Sequence, residues 1–307
     1  MGKITKQHAL RQHNDIINGS YEGSISELRL FYCFLAKVDW EQAITTDTRF
    51  YITVQEYADL CGMQVADARN EIEYALNKMG ERWIELAKPD SETGKAIITR
   101  WLVSRSRDVE VGDKIMAGFS SEIIPFISKL KETGNFTITR IGQILKLPSY
   151  YAIRLYNIAI ENLNMPMTGR HFYLEIDKLR KMFKVETKYK PMIDFKRNVL
   201  DFSVGLISKH NDIILGYNQK MKGRKIIGFD FYIIPKNEVV EHAKNPKKAN
   251  PYSRCTLSFD GAKRLLKKGE SLPQLYFRLA ELGFMFDHDV DPKHYNQMDD
   301  LFEVAKR

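Results

Sequence analysis

The same succession of predicted elements occurs twice in this chain, about 125 residues apart. Each succession has a helix, a short strand, two helices joined by a tight turn, and a β-hairpin. The first comprises residues 26–38, 50–52, 54–62, 65–79 and 82–103, and the second comprises residues 149–163, 171–174, 176–183, 192–208 and 213–234. A helix-turn-helix followed by a hairpin wing is a winged helix. We therefore predict an α+β fold of two tandem winged-helix domains with a C-terminal extension.

Local signals define the first helix-turn-helix. Thr53 and Glu56 place a hydroxyl and a carboxylate three residues apart, which is the pattern of a capping box and predicts a helix that begins near Val54. Gly62 predicts the end of that helix. Residues 65–79 then carry their apolar side chains on one stripe of a second helix. The two helices and the tight turn between them form the predicted helix-turn-helix.

Each helix-turn-helix is followed by two strand-like runs, which predict the wings. In the first copy, residues 82–87 and 96–103 flank a polar loop. In the second copy, residues 213–217 and 226–234 flank a basic tip at residues 220–225. The second wing is therefore expected to present lysine and arginine at its end.

The long helix of the second copy, residues 192–208, has one apolar and one polar side. The residues predicted to be buried are Met192, Phe195, Val199, Phe202 and Leu206. The residues predicted to point the other way are Lys190, Asp194, Arg197 and Asp201. This polar side is the candidate surface for a partner.

Five segments are predicted from this order of elements. They are an N-terminal arm at residues 1–19, a first winged-helix domain at 20–119, connecting helices at 120–148, a second winged-helix domain at 149–235, and a C-terminal extension at 236–307. The connecting helices are predicted over residues 120–130 and 139–147. In the extension, a breaker-rich linker precedes one amphipathic helix at residues 272–282, and the role of the extension is open.

Basic residues are concentrated in one part of the chain. The net charge of +8 divides into −3 for residues 1–120, +9 for residues 121–235 and +2 for residues 236–307. Lysine and arginine that neutralise phosphates release condensed counterions, so a polyanion such as DNA is expected to bind the middle segment most strongly. Charge alone also leaves open a generally basic protein without a nucleic-acid partner.

Several classes of function find no support in the sequence. It contains no run of about 18 apolar residues and no apolar N-terminal stretch, so we expect a cytoplasmic protein that does not associate with membranes. Cys33, Cys61 and Cys255 lack paired spacing, and the seven histidines are scattered. Thr93-Gly-Lys95 lacks the upstream glycine of a phosphate-binding loop. We therefore expect no metal, no cofactor and no catalytic residues.

Three motifs, in this order, resemble those of one known family. They are Tyr151-Ala-Ile-Arg-Leu-Tyr156, Lys190-Pro-Met-Ile-Asp-Phe-Lys-Arg-Asn-Val-Leu200, and Lys222-Gly-Arg-Lys225 before an alternating strand. Over residues 20–235 the chain is similar to the iteron-binding plasmid replication initiators. The resemblance implies two winged-helix domains related by internal pseudo-symmetry, which bind directly repeated sites in double-stranded DNA at a plasmid origin.

The resemblance also implies partners and an activity. Monomers of that family start replication and homodimers often repress the initiator's own gene, so we expect a monomer–homodimer equilibrium. Several bound copies bend the origin and promote its opening, and the host initiator and the replicative helicase are recruited. A winged-helix transcriptional repressor without initiation activity is one alternative, and a DNA-nicking replication enzyme is another.

Carried over to this sequence, the main reading helix of the family corresponds to residues 190–208. Lys196 and Arg197 are expected in the major groove or on flanking phosphates, and Asn198 has the chemistry to read adenine. Basic wing residues are expected on the DNA backbone, where they position the protein without specifying sequence. The first domain is net acidic and is expected to have a secondary role. The expected DNA contacts are Lys188, Lys190, Asp194, Lys196, Arg197, Asn198, Lys220, Lys222, Arg224 and Lys225 in the second domain and Gln64, Arg69 and Asn70 in the first.

Overall fold

The computed structural model describes residues 4–106, 114–164, 170–236, 256–257 and 285–286. Its first part contains β1 (Ala9–His13), α1 (Asn14–Ile17), β2 (Ser20–Tyr21), α2 (Ile25–Leu35), β3 (Phe50–Thr53), α3 (Val54–Cys61), α4 (Val65–Met79), β4 (Trp83–Glu85), β5 (Ile98–Arg100), β6 (Leu102–Arg105) and β7 (Lys114–Phe119). A connecting region follows, with a 3₁₀ helix (Ile124–Phe126), α5 (Leu130–Thr133), β8 (Phe136–Arg140) and α6 (Ile141–Leu145).

The second copy follows the connecting region. It contains α7 (Tyr150–Leu163), β9 (His171–Glu175), α8 (Ile176–Met182), α9 (Met192–Phe195), a π-helical segment (Lys196–Asp201), α10 (Phe202–His210), β10 (Ile213–Lys222) and β11 (Lys225–Pro235). Two short strands, β12 (Thr256–Leu257) and β13 (Met285–Phe286), pair in parallel. The helix predicted at residues 272–282 and Cys255 lie outside the described residues.

The two copies contain sheets of the same strand order. In the first copy the order is β3, β7, β6, and in the second it is β9, β11, β10, with antiparallel pairing throughout. In each sheet, the strand that precedes the helix-turn-helix pairs with the last strand of the wing. One cluster of buried apolar side chains runs through both copies. The predicted α+β fold of two tandem winged helices is therefore confirmed.

The first wing differs from its prediction. The predicted hairpin exists as β4 and β5, but these strands form a separate sheet with β2. The strands that form the wing are instead β6 and β7, and the sequence pattern does not predict β7. The apolar run at residues 96–103 predicts one strand, but the strand is divided at Trp101. The Trp101 ring packs against the rings of Tyr21 and Phe31 at centroid distances of 5.0 and 4.6 Å. No glycine or proline marks this break, so the pattern did not reveal it.

The predicted connecting helices are wrong in part. Residues 120–130 form turns and a 3₁₀ helix rather than one α-helix, and residues 136–140 form β8 before α6 begins at Ile141. β8 pairs with β1 from the N-terminal arm, with Ala9 opposite Arg140. Short apolar runs fit a helix or a strand equally well. Here a distant partner strand decides between the two.

The predicted start of α3 at Val54 and its end at Gly62 are confirmed, while the carboxylate of Glu56 pairs with Lys37 at 2.6 Å. The Thr53 hydroxyl accepts a hydrogen bond from the Glu56 amide at 3.0 Å, which caps the N-terminus of α3. Gly62 ends this helix in the left-handed conformation, with a φ of 70°. Cys33 is a buried free thiol and Cys61 a half-buried one. Among the residues described, no helix has the length and apolar character needed to cross a bilayer, and no group of three His, Cys, Asp or Glu side chains is arranged to hold a metal ion.

A buried arginine joins the N-terminal segment to the second copy. Arg154, on α7, is only 1% exposed. Its guanidinium donates hydrogen bonds to the carbonyl oxygens of Gly19 at 2.7 Å, Ile17 at 3.2 Å and Met182 at 3.2 Å. It also lies over the Tyr21 ring, 3.6 Å from the centroid. One side chain therefore satisfies main-chain acceptors from the N-terminal segment and from the end of α8.

A second polar contact, between the N-terminal arm and the second copy, involves a carboxyl group with a raised pKa. Asn18 Nδ2 lies 2.8 and 2.7 Å from the two carboxyl oxygens of Glu161. Burial raises the pKa of Glu161 from 4.5 to about 7, and the nearby Asn18 and Lys178 oppose this shift only in part. Because the folded pKa is raised, the contribution of this group to stability is fully present below the unfolded pKa of 4.5 and is lost as pH rises through 7.

Replacing Glu161 with glutamine should remove this pH dependence. Glutamine keeps an oxygen that accepts the hydrogen bond from Asn18, but it does not ionise. Between pH 5.5 and 7, the free energy of unfolding of Glu161→Gln should rise relative to that of the unmodified protein by about 1.5 kcal/mol. Urea titrations at the two pH values measure this difference, with Glu186→Gln, at an exposed carboxylate, as the control. A difference that does not change with pH would contradict the raised pKa.

Candidate nucleic-acid interface

The second-domain residues expected to contact DNA lie in two places, at or just before one long helix and at the end of the β10–β11 hairpin. We call the helix, which consists of α9, the π-helical segment and α10, the reading helix. Its buried side carries Phe195, Val199, Leu200, Ser203, Val204 and Ile207. Its exposed side carries Ile193, Arg197, Asp201, Gly205 and Lys209, at intervals of four residues. Because a π turn takes up an additional residue, these five residues stay on one line along the helix. We call this row the exposed line.

The π-helical segment corrects the predicted buried side of the helix. Phe202 was expected in the core, but it is 54% exposed, and Leu206 is only half-buried. The additional residue in the π turn rotates the later side chains about the axis, so Val204 and Ile207 occupy the core instead. The prediction assumed an uninterrupted period of 3.6 residues, and no residue in the sequence marks the π turn.

Arg197 lies on the exposed line between Ile193 and Asp201. Its side chain is 71% exposed, and Nη2 donates a hydrogen bond to Asp194 Oδ1 at 2.8 Å. Asn198 Nδ2 donates to the main-chain oxygen of Asp194 at 2.8 Å, so this amide is directed toward its own helix. Adenine readout by Asn198 requires that hydrogen bond to open. Lys196, beside them, is half-buried.

Arg180 holds the turn that leads into the reading helix, although it is not among the residues predicted for the site. Its guanidinium donates to the carbonyl oxygens of Val185, Lys188, Tyr189 and Lys190 at 2.9–3.3 Å. It also lies 4.4 Å from the centroid of the Phe195 ring at the start of that helix. Arginine in the last turn of a helix often binds free carbonyl oxygens, and this was the available signal.

Two of the expected DNA contacts, Lys188 and Lys190, lie just before the reading helix, and they differ in whether a carboxylate binds them. Lys188 Nζ lies 3.0 Å from Glu22 Oε1 of the first copy, and this hydrogen bond lowers the pKa of Glu22. Nearby, Lys181 makes a similar pair with Glu85 at 2.6 Å. Lys188 is therefore bound to a carboxylate in this structure. Lys190 is exposed.

The wing of the second copy is an antiparallel ribbon with a basic end. β10 and β11 are joined by a two-residue turn in which Gly223 has a φ of 61°, a conformation that suits glycine. Near this end, Lys220 Nζ lies 5.2 Å from the centroid of the Tyr173 ring. The Tyr217 hydroxyl donates to Asp201, which links the ribbon to the reading helix. The exposed basic residues of this wing are Lys220, Lys222, Arg224 and Lys225.

The corresponding helix of the first copy, α4, has a mixed surface. Gln64 precedes its first turn, and its exposed side chain makes no capping hydrogen bond. Asn70 is exposed as well, whereas Arg69 is half-buried. Exposed Asp67 and Glu73 lie on the same helix, and their negative charges make its surface less favourable to a polyanion than the basic end of the second wing. The expected secondary contacts are placed near one another on one helix.

Comparisons with known proteins agree with this architecture. Residues 9–160 match the family model described as initiator replication protein, WH1, and residues 175–233 match that described as initiator Rep protein, WH2. The PI protein of Escherichia coli is 22% identical over 264 residues, which cover 76% of this chain and 85% of that protein. A crystal structure of Pi initiator protein in complex with iteron DNA has a TM-score of 0.64 at 20% identity, and the match covers 76% of this chain and 99% of that one. This chain therefore belongs to the initiator replication protein family, with its WH1 and WH2 domains in that order.

Proposed function

We propose that this protein is a plasmid replication initiator that binds iterons, the directly repeated duplex sites of an origin. The observation that carries the proposal is the exposed Arg197 on the reading helix, in a domain whose wing ends in exposed basic side chains. The Pi initiator, which shares the fold, was crystallised with iteron DNA. The charge of +9 on residues 121–235 also supports a polyanionic partner.

The reading helix would enter the major groove while the wing follows the phosphate backbone. An arginine at the position of Arg197 binds guanine O6 and N7 through two parallel hydrogen bonds. Asp194 already restricts the Arg197 side chain, so less rotational freedom is lost when DNA binds. The exposed wing residues Lys222, Arg224 and Lys225 supply attraction that does not depend on sequence.

Protection mapping over the parent plasmid's origin tests the proposal directly. We expect protected segments that recur as direct repeats, and a duplex of one repeat should compete far better than random DNA at moderate salt. If no repeated element of the origin is preferred over bulk competitor DNA, iteron binding by this protein is wrong.

Removing one wing charge should weaken binding to every DNA sequence equally. In Lys222→Ala, the slope of log affinity against log salt concentration should become shallower by about 0.9, because one fewer phosphate is neutralised. Fluorescence anisotropy with a repeat duplex and a random duplex measures both slopes. Lys95→Ala removes an exposed lysine from the β4–β5 loop of the first copy and serves as the matched control. A loss restricted to the repeat duplex would instead assign Lys222 to base recognition.

Origin opening, recruitment of the host initiator and replicative helicase, and repression of its own gene are further parts of the proposal. A transcriptional repressor that only occludes a promoter is the second candidate, because the same DNA-binding surface would serve it. Supplying the protein to cells that carry an origin plasmid without its own initiator separates the two. Replication of that plasmid supports an initiator, whereas promoter repression without replication supports the repressor.

We also propose that the protein has no strand-cleaving activity. Supercoiled origin DNA incubated with the protein and magnesium or manganese should stay supercoiled. Relaxed product, or protein attached covalently to DNA, would identify a nicking enzyme instead.

The division of the chain and the roles of its parts complete the proposal. The segments are the arm at 1–19, winged-helix domains at 20–119 and 149–235, the connection at 120–148 and an extension at 236–307. The first domain would make secondary DNA contacts through Gln64, Arg69 and Asn70. A monomer in equilibrium with a homodimer is expected, and sedimentation with and without the repeat duplex measures which state binds DNA.

A further inference from the structure

We infer that Ile193 is a specificity-determining residue that reads thymine by contact with its 5-methyl group. The inference rests on the proposed function, because it requires a duplex against the reading helix. It adds an apolar base contact to the basic residues considered so far.

The exposure of Ile193 is the first observation. At 72%, it is the most exposed of the large apolar side chains in the described part of the chain. A single exposed apolar residue is ordinary on a protein surface. This one, however, lies in the first turns of the reading helix, and the N-terminal residues of such helices are the ones that contact base edges.

The neighbours of Ile193 on the exposed line are the second observation. Arg197 follows one turn later and is directed by Asp194. Gly205 continues the line, and a Cβ added there would meet nothing within 4 Å. No described residue therefore requires glycine at this exposed helical position, where alanine would favour the helix. A partner that approaches the exposed line closely would explain why it lacks a side chain there.

The spacing of Ile193 and Arg197 along the helix determines how far apart the bases that they contact would be. Four residues of helix rise about 6 Å, which is close to two base steps of about 3.4 Å. A duplex that places guanine against Arg197 therefore places the neighbouring base pairs against Ile193. We expect the thymine to lie within about two base pairs of that guanine.

The chemistry of the side chain selects the base. Isoleucine neither donates nor accepts a hydrogen bond, and the thymine methyl is the one apolar group that the four bases present in the major groove. Branching at Cβ restricts χ1, so little rotational freedom is lost on contact. Phe202 is also exposed, but it lies off the exposed line.

Substitution of thymine by deoxyuridine tests the inference, because it removes only the methyl group. Each thymine of the protected repeat is replaced in turn, and affinities of the full chain are measured by anisotropy. For the unmodified protein we expect a loss of about three- to fivefold at one thymine near the guanine read by Arg197. In Ile193→Ala, affinity for the unmodified duplex should fall by a similar factor and the sensitivity to that substitution should disappear.

Ile138→Ala, which truncates an exposed isoleucine on β8, is the matched control and should keep the full sensitivity to deoxyuridine. Urea unfolding of both variants shows whether the fold is retained. The inference is overturned if the unmodified protein tolerates deoxyuridine at every position, or if Ile193→Ala stays as sensitive as before. Both results presuppose preferential binding to the repeat, and its absence would instead contradict the proposed function.

Discussion

Arg154→Met should lower the free energy of unfolding by about 3–5 kcal/mol, the largest effect on stability that we expect from a single substitution. Methionine has a similar length and fills much of the same space. It offers no donor to the carbonyl oxygens of Ile17, Gly19 and Met182, which accept hydrogen bonds from Arg154. Each buried acceptor left without a partner costs about 1–3 kcal/mol. The contact with the Tyr21 ring is also weakened.

The first copy provides a matched control at the corresponding position of α2. Arg29 pairs with Glu71 at 3.2 Å, and Tyr57 donates to the same carboxylate at 2.8 Å. Arg29→Met leaves the Tyr57 hydrogen bond in place, so we expect a loss of only about 1–2 kcal/mol. Urea titration measures both losses. Equal losses would show that Arg154 has no special part in joining the N-terminal segment to the second copy.

Arg154→Lys extends the test if the methionine variant does not fold. Lysine keeps the charge but has one nitrogen in place of the guanidinium fork, so it reaches fewer of these acceptors. We expect an intermediate loss of stability. Faster amide hydrogen exchange in residues 15–20, which contain two of the three carbonyl acceptors, would accompany it.

Much of the fold follows from signals that are local in sequence. Thr53 caps α3, Gly62 ends it, and α4 follows with its apolar stripe. Each of these signals acts through residues that are close to it in the sequence. The basic ribbon of the second copy is predicted equally well, because its turn and its alternating strands are adjacent in the chain.

The errors arise where a distant partner or a helical irregularity decides the structure. β8 becomes a strand because β1, well over a hundred residues earlier, pairs with it. The first wing was misplaced because β5 and β6 join different sheets although only Trp101 separates them. Phe202 was assigned to the wrong side because a π turn adds a residue that the α-helical period does not contain.

For the candidate site, the exposure of its cations was easier to predict than their hydrogen bonds. Arg197 and the basic wing residues are exposed, as their positions in an amphipathic helix and at a hairpin end indicate. The contact between Lys188 and Glu22 joins the two copies, so it depends on how the domains pack. The main-chain bond of Asn198 depends on the side-chain rotamer. Sequence patterns contain neither kind of information.

Arg197→Ala should reduce affinity for the protected repeat by about 30- to 150-fold, or about 2–3 kcal/mol, the largest effect on binding that we expect. Two losses combine in this variant. The bidentate contact with guanine disappears, and the Asp194 carboxylate loses the hydrogen bond that it accepts at 2.8 Å. An unpaired carboxylate at the groove would repel the phosphates and add to the loss. Binding to random DNA should weaken much less, because only one phosphate-attracting charge is removed.

Lys209→Ala removes a cation from the far end of the same exposed line and is the matched control. If the N-terminal half of the reading helix recognises the bases, Lys209→Ala should weaken binding to repeat and random duplexes by the same modest factor. Anisotropy with both duplexes at one salt concentration measures the ratio of specific to random affinity for each variant. An unchanged ratio in Arg197→Ala would make Arg197 a phosphate contact. Recognition of the repeat would then have to come from other residues, Ile193 among them, or from the deformability of the DNA.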